Sequence, residues 1–216
     1  MGGAVKSRPR LRGVLHQYAF FASLPALPAL LLVSRTGRAT AAGAVYGCSL
    51  VALFGVSALF HRVTWSGPAR RWMGRLDHAM INVLIAGTYT PLGLLVLSGP
   101  VAATTLGLIW GGALASTLLH VLWIDAPKWL STVMYLALGW SGIAAMPQLV
   151  SQVGWAPTAL LALGGALYSA GAAVYALRRP DPVPAVFGYH EMFHALVIAA
   201  AVTHYAVVAV YILPRV

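Results

Sequence analysis

The sequence predicts an all-α fold: a polytopic membrane protein, a seven-transmembrane helix bundle with its amino terminus in the cytoplasm. Three observations predict it. Of 216 residues, 60% are hydrophobic and only 8% are charged, against about 25% charged in an ordinary soluble domain. Mean hydropathy is +0.80, more apolar surface than a soluble fold needs. The apolar residues also fall into about seven runs of roughly 20 residues, the length that crosses about 30 Å of hydrocarbon.

The runs cover 14–33, 41–61, 77–97, 101–122, 129–147, 157–177 and 189–213, and residues 1–216 read as one transmembrane domain with a short basic tail, 1–13. The first run follows that tail, as the core of a signal peptide would. It is too long for one, and no small-residue cleavage site follows cleanly, so it reads as a span. Pro25 and Pro28 should kink or loosen it. The second run ends on Ser57-Ala58-Leu59-Phe60-His61, and the third opens on Asp77-His78. In the third, Thr88, Tyr89 and Thr90 sit before Pro91, where they should satisfy backbone groups freed by the proline. The fourth ends near His120, and the fifth follows Lys128. The sixth holds Gly164, Gly165 and Gly171, which suits close helix packing. The seventh opens on His190-Glu191-Met192-Phe193-His194. Trp65, Trp72, Trp123, Trp129 and Trp155 lie at span ends, as in an interfacial belt. Cys48, the single cysteine, excludes an internal disulfide and reads as a small packing residue.

A net charge of +10 could suggest nucleic acid, but its distribution argues against that partner. The basic residues lie between the apolar runs. Lys6, Arg8, Arg10, Arg12, Arg62, Arg70, Arg71, Arg75, Lys128, Arg178 and Arg179 fall on one side of the membrane, and only Arg35, Arg38 and Arg215 on the other. The positive-inside rule therefore puts the amino terminus in the cytoplasm and the carboxyl terminus outside. That topology brings His61, Asp77, His190 and His194, from three spans, to one depth near the cytoplasmic face.

Histidines four residues apart on a helix lie about 40° apart around the axis and about 6 Å apart along it. His190 and His194 can therefore reach one metal ion, and His-Glu-x-x-His is a zinc-binding pattern. Ionisable groups at mid-span cost about 2.5–3.5 kcal/mol each on insertion scales, so they tend to be kept for a task. His61, His190 and His194 would form a three-imidazole zinc site with one open position. Asp77 would offset the charge and handle the proton of a water whose pKa zinc lowers toward about 7. Ser57, one turn before His61, would bind that water or a developing oxyanion.

Each of these residues also has a plainer reading. The histidines could be satisfied by hydrogen bonds between helices, Asp77 could be a helix N-cap, and Ser57 could bond back to its own helix. Glu191 is a further candidate, as the base of a soluble zincin. It lies about 100° round the helix from His190, where a lipid headgroup or an arginine such as Arg62 could neighbour it. His78 and His120 are spare ligand candidates. His204, about 21 Å along the axis from His190, cannot share that metal and suggests a second polar position in the bundle. His16, beside the basic tail, reads as interfacial.

Ser57-x-x-x-His61, Asp77-His78 at the head of a span, and His190-x-x-x-His194 in the last span together resemble the signature of the hemolysin III family. That family is the bacterial branch of the progestin and adipoQ receptor family, within a ceramidase-related superfamily. Ala58-Leu59-Phe60-His61-Arg62, Gly87-Thr88-Tyr89-Thr90-Pro91 and Gly188-Tyr189-His190-Glu191-Met192-Phe193-His194 add to the resemblance, which runs from about Val14 to Leu213. It implies a seven-helix bundle in the bacterial inner membrane. It also implies a zinc ion held by three histidines toward the cytoplasmic leaflet, with an aspartate close to the zinc-bound water.

The function expected from residues and resemblance together is zinc-dependent hydrolysis of a lipid acyl bond, an amide such as a ceramide's by the ceramidase kinship. A membrane lipid would be substrate or ligand, and a role in membrane lipid homeostasis would follow. Three alternatives stay open: a non-catalytic sensor or receptor with structural zinc, an intramembrane metalloprotease using Glu191, and a cytolytic pore.

Overall fold

The computed structural model describes residues 9–123 and 128–215, with the side chain of Lys128 excepted. Lys6, Arg8 and that side chain, counted above for orientation, lie outside the described part. Among the described residues the chain is helical except for short connections and one isolated bridge, between Val183 and Phe187.

The helices are α1 (Val14–Val33), α2 (Gly37–Arg62), α3 (Gly67–Pro91), α4 (Gly99–Leu122), α5 (Lys128–Trp140), α6 (Met146–Val153), α7 (Trp155–Leu177) and α8 (Tyr189–Ala206). A π-helical turn, Leu92–Val96, prolongs α3, and another, Val207–Ile212, prolongs α8. A 3-10 turn, Ser141–Ala145, joins α5 to α6 so that both make one span. Seven segments are long and apolar enough to cross a membrane, and the chain is an integral membrane protein.

Five of the seven expected spans shift by at most four residues, and the fifth runs six residues further, to Val153. The third differs most: α3 begins at Gly67, ten residues before the apolar run at Asp77. Ser66 takes the N-cap position and Pro68 the first turn, a standard helix start. Hydropathy misses this stretch because Arg70, Arg71 and Arg75 ride on it. The helix therefore carries three cationic side chains out past the apolar region, and Asp77 lies inside it rather than capping it.

Helices adjacent in sequence pack together (α1 on α2, α2 on α3, α3 on α4, α7 on α8), and α8 returns to touch α1. The interior comes mainly from α2, α3 and α8, with Tyr46, Leu50, Leu53, Phe54, Leu84 and Val197 in one buried cluster. Trp72, Trp123, Trp129 and Trp155 are exposed near helix ends, where an interfacial belt needs them. Trp65 donates to the Leu59 carbonyl at 3.1 Å.

Pro91 ends α3 and the π-helical turn follows it. The neighbouring hydroxyls do not serve the carbonyl that Pro91 frees. Thr88 donates to Leu84 and Thr90 to Ala86, both at 2.8 Å. Tyr89 reaches across to the Gly139 carbonyl in α5 at 2.5 Å, beside the 3-10 turn. The proline region thus ties α3 to the interrupted fifth span.

Close packing of α2 on α3 depends on Gly87, where an added Cβ would overlap the Ser49 side chain. Gly87→Val should lower stability by about 1–3 kcal/mol through overpacking. Gly107→Ala, where the added atom meets open space, should leave it within about 0.5 kcal/mol. Thermal unfolding of the detergent-solubilised protein compares the two.

Candidate metal centre

The last turn of α2 and the first two turns of α8 meet at one end of the bundle. There the ligating nitrogens of His61, His190 and His194 all lie within 4.8 Å of one another. His61 and His194 are buried, and His190 is half-buried. Nε2 of His190 stands 3.2 Å from Nε2 of His61. Two nitrogens on a tetrahedral zinc, each about 2.05 Å from it, are about 3.3 Å apart. Spacing, burial and an all-imidazole donor set therefore fit a zinc ion, which these three residues could hold between them.

The groups around the three rings came partly as expected. Asp77 enters from α3 with Oδ2 3.8 Å from Nε2 of His61, adjacent to the trio without belonging to it. The buried hydroxyl of Ser57 lies against the Asp77 carboxylate. It does not bond back to its own helix, because Nδ1 of His16 holds it at 2.8 Å.

His16 is the residue that sequence reasoning missed. Expected at the interface, it is only 3% exposed. Its ring stacks on His194 with centroids 3.7 Å apart and an interplanar angle of 5°, and Phe54 packs edge-on against it. The available signal was spacing: His16, Ser23 and Leu30, seven residues apart, are the buried positions of α1. Because α1 is apolar on every side, hydropathy could not single out that face.

Glu191 also has an unexpected partner. It is 1% exposed and takes the Arg12 guanidinium through Nε at 2.5 Å. Its other oxygen accepts the Gly188 N–H at 2.9 Å, while Asp181 accepts the N–H of Tyr189 at 2.9 Å. Both carboxylates thus serve the unsatisfied donors at the start of α8. Arg62, the sequence candidate, instead donates to Gln17 at 3.1 Å. Both Glu191 oxygens are thus partnered at the start of α8, one by Arg12 and one by the Gly188 N–H.

His78 and His120 lie outside the trio. They form a second polar group between α3, α4 and α5, with ring centroids 6.1 Å apart. His78 donates to the Gly74 carbonyl at 2.8 Å and His120 to that of Ser116 at 2.6 Å. Ser131 donates to Nε2 of His120 at 2.6 Å, and the Tyr135 hydroxyl lies 3.1 Å from the same nitrogen. Deeper in the bundle, His204 donates across to the Leu161 carbonyl in α7 at 3.0 Å.

A cavity of about 450 Å³ links these groups. Its lining includes the exposed Arg71 and Trp123 and the half-buried Arg75, together with Ser57, Asp77, His190 and His194. Toward the other end of the bundle its lining is mostly apolar, with Leu84, Leu92, Met146 and Leu149 beside Thr88, Tyr89 and His204.

Residues 5–205 match the family model described as haemolysin-III related. The chain belongs to the hemolysin III family. It is 32% identical to Hemolysin-3 of Bacillus cereus over 93% of this chain and 90% of that protein. It is 31% identical to the Hemolysin-3 homolog of Bacillus subtilis (strain 168), over 92% and 91%. The human Monocyte to macrophage differentiation factor is 28% identical over 78% of this chain and 69% of its own length. The family resemblance read from three short motifs is therefore sound.

The Arg12–Glu191 pair yields a direct test. Arg12→Met leaves a buried carboxylate without its cation and should cost about 1–3 kcal/mol. Adding Glu191→Gln, which removes the charge but keeps an oxygen for the Gly188 N–H, should recover most of it. Thermal unfolding of the single and double variants checks both steps.

Proposed function

We propose that this hemolysin III family member is a zinc-dependent hydrolase of an acyl bond, an amide by preference, in a membrane lipid. The observation that carries the reading is the meeting of three buried imidazoles, the Asp77 carboxylate and the Ser57 hydroxyl on the wall of one apolar-ended cavity. His61, His190 and His194 would hold the ion. Zinc bound there supplies a Lewis acid for a carbonyl oxygen and a water of lowered pKa.

The chain's own groups account for the rest. Asp77 takes the proton from the attacking water and returns it to the leaving nitrogen or oxygen as the acyl bond breaks. Ser57, held in place by His16, donates to the oxygen on which negative charge grows. The apolar depth of the cavity takes the acyl chain and keeps bulk water from the site. A structural ion is the competing reading. It requires Asp77, 3.8 Å from the His61 nitrogen, to close in as a fourth ligand.

Purified wild-type protein should carry one zinc per chain, and His194→Ala should lose it, as read by metal analysis. Asp77→Asn should keep the zinc and lose at least about 100-fold in lipid hydrolysis, the usual scale of a general base. Loss of zinc from Asp77→Asn would favour the structural ion instead. Zinc-free wild type, purified without chelator, would remove both readings.

The reading also places the site at the cytoplasmic leaflet of the bacterial inner membrane, where the basic residues gather. A role in membrane lipid homeostasis follows from it. A fluorescent-protein fusion that matures only in the cytoplasm should glow at the amino terminus and stay dark at the carboxyl terminus. The opposite pattern would put the site on the outer face.

A further inference from the structure

Four arginines stand near the histidine end of α2 and α3, and they are not equivalent. Arg62 donates to Gln17. Arg70 sits over the Phe60 ring, 5.4 Å from its centroid. Arg71 and Arg75 line the cavity, and among the described residues neither forms an ion pair with a carboxylate. Arg75 lies over the Trp72 ring, 4.4 Å from its centroid. One helical turn apart, Arg71 and Arg75 share a face, with Cβ atoms about 6 Å from each other.

Their position continues the cavity's order of polarity. Along α3 and its π-helical extension the lining runs from Arg71 and Arg75, past Asp77, to Leu84 and Leu92. The arginine end is also built to hold its shape. The His120, Ser131 and Tyr135 hydrogen bonds clamp α4 to α5, and Tyr135 donates to the His78 carbonyl of α3 at 3.3 Å. The positive-inside rule asks only for basic residues on this side of the membrane. It does not require two of them to line a cavity that also carries Asp77, Ser57 and a run of apolar side chains.

We propose that Arg71 and Arg75 form a phosphate-binding subsite at the cavity mouth, so that the lipid this chain takes carries a phosphate headgroup above its acyl chain. Guanidinium forks match phosphate oxygens in pairs, and two of them balance a phosphate monoester. The proposal deepens the hydrolase reading by naming a substrate class, and it rests on that reading only for the word substrate. As a binding site it stands on the two arginines alone.

The test uses ligands without an acyl bond: hexadecyl phosphate and hexadecanol, bound to the full chain in nanodiscs of digalactosyl diacylglycerol, an uncharged lipid that carries no phosphate of its own. Wild type should prefer the phosphate by at least about tenfold, one charge-assisted contact's worth. Arg71→Gln/Arg75→Gln should abolish the preference while hexadecanol affinity, the check on folding, holds. Arg70→Gln should keep the preference, and so should wild type stripped of metal by chelator.

Inorganic phosphate supplies the arm that separates sources. Failure to displace hexadecyl phosphate identifies a lipid headgroup, and displacement a soluble phosphate at the same arginines. Equal affinity for the two ligands would overturn the proposal. So would a loss in Arg70→Gln matching that in Arg71→Gln/Arg75→Gln, or a preference that leaves with the metal. Failure of the hydrolase reading would show in turnover alone and leave these affinities unchanged.

Discussion

Hydrocarbon offers no hydrogen-bond partner, so each polar side chain buried in this bundle must find its partner within the protein. The structure meets most of that constraint by concentration, although the buried Tyr46 and Ser116 hydroxyls have no hydrogen-bond partner in the protein. His16, Ser57, His61, Asp77, His190, His194 and Glu191 gather where α1, α2, α3 and α8 meet, and each buried group there touches another. His78, His120, Ser131 and Tyr135 form a second such group. Scattered singly along the spans, the same side chains would each carry a desolvation cost of about 1–3 kcal/mol.

Among these elements α8 matters most, because it carries two of the three imidazoles. A rotation of one residue step, about 100°, would turn both away from His61. Its start is fixed by Glu191 and Asp181, which hold the first backbone donors, and by Arg12, which holds Glu191 to the segment preceding α1. Further along, His204 ties it to α7 through Leu161. Tyr205 ties it to α1 through the Ala26 carbonyl at 2.8 Å. The His-Glu-x-x-His glutamate, a base in soluble zincins, here maintains the angle at which its neighbouring histidines meet their partner.

This explains what was legible in the sequence and what was not. The seven spans were legible because hydropathy measures the constraint that creates them. The histidine trio was legible because i, i+4 spacing fixes His190 and His194 on one face and charge distribution puts His61 at their depth. The partners of Glu191 and Ser57 were not legible. Arg12 is 179 residues from Glu191 and His16 is 41 from Ser57, and both contacts depend on how α1 docks. The π-helical turns after α3 and α8 were also hidden, since a backbone that shifts by one hydrogen bond leaves no hydropathy trace.

The early start of α3 has consequences beyond its length. As a loop, the stretch before Asp77 would let Arg71 and Arg75 point anywhere in the aqueous phase. As helix, it puts them on the same rigid rod as Asp77, Arg75 about half a turn and Arg71 about 1.7 turns away. Sign and distance then become fixed relative to the carboxylate and the histidines below it. Basic residues that orient a helix in the membrane need only be on the correct side. On this helix they also have a defined height above the centre and a defined direction, which turns a topogenic signal into part of the cavity wall.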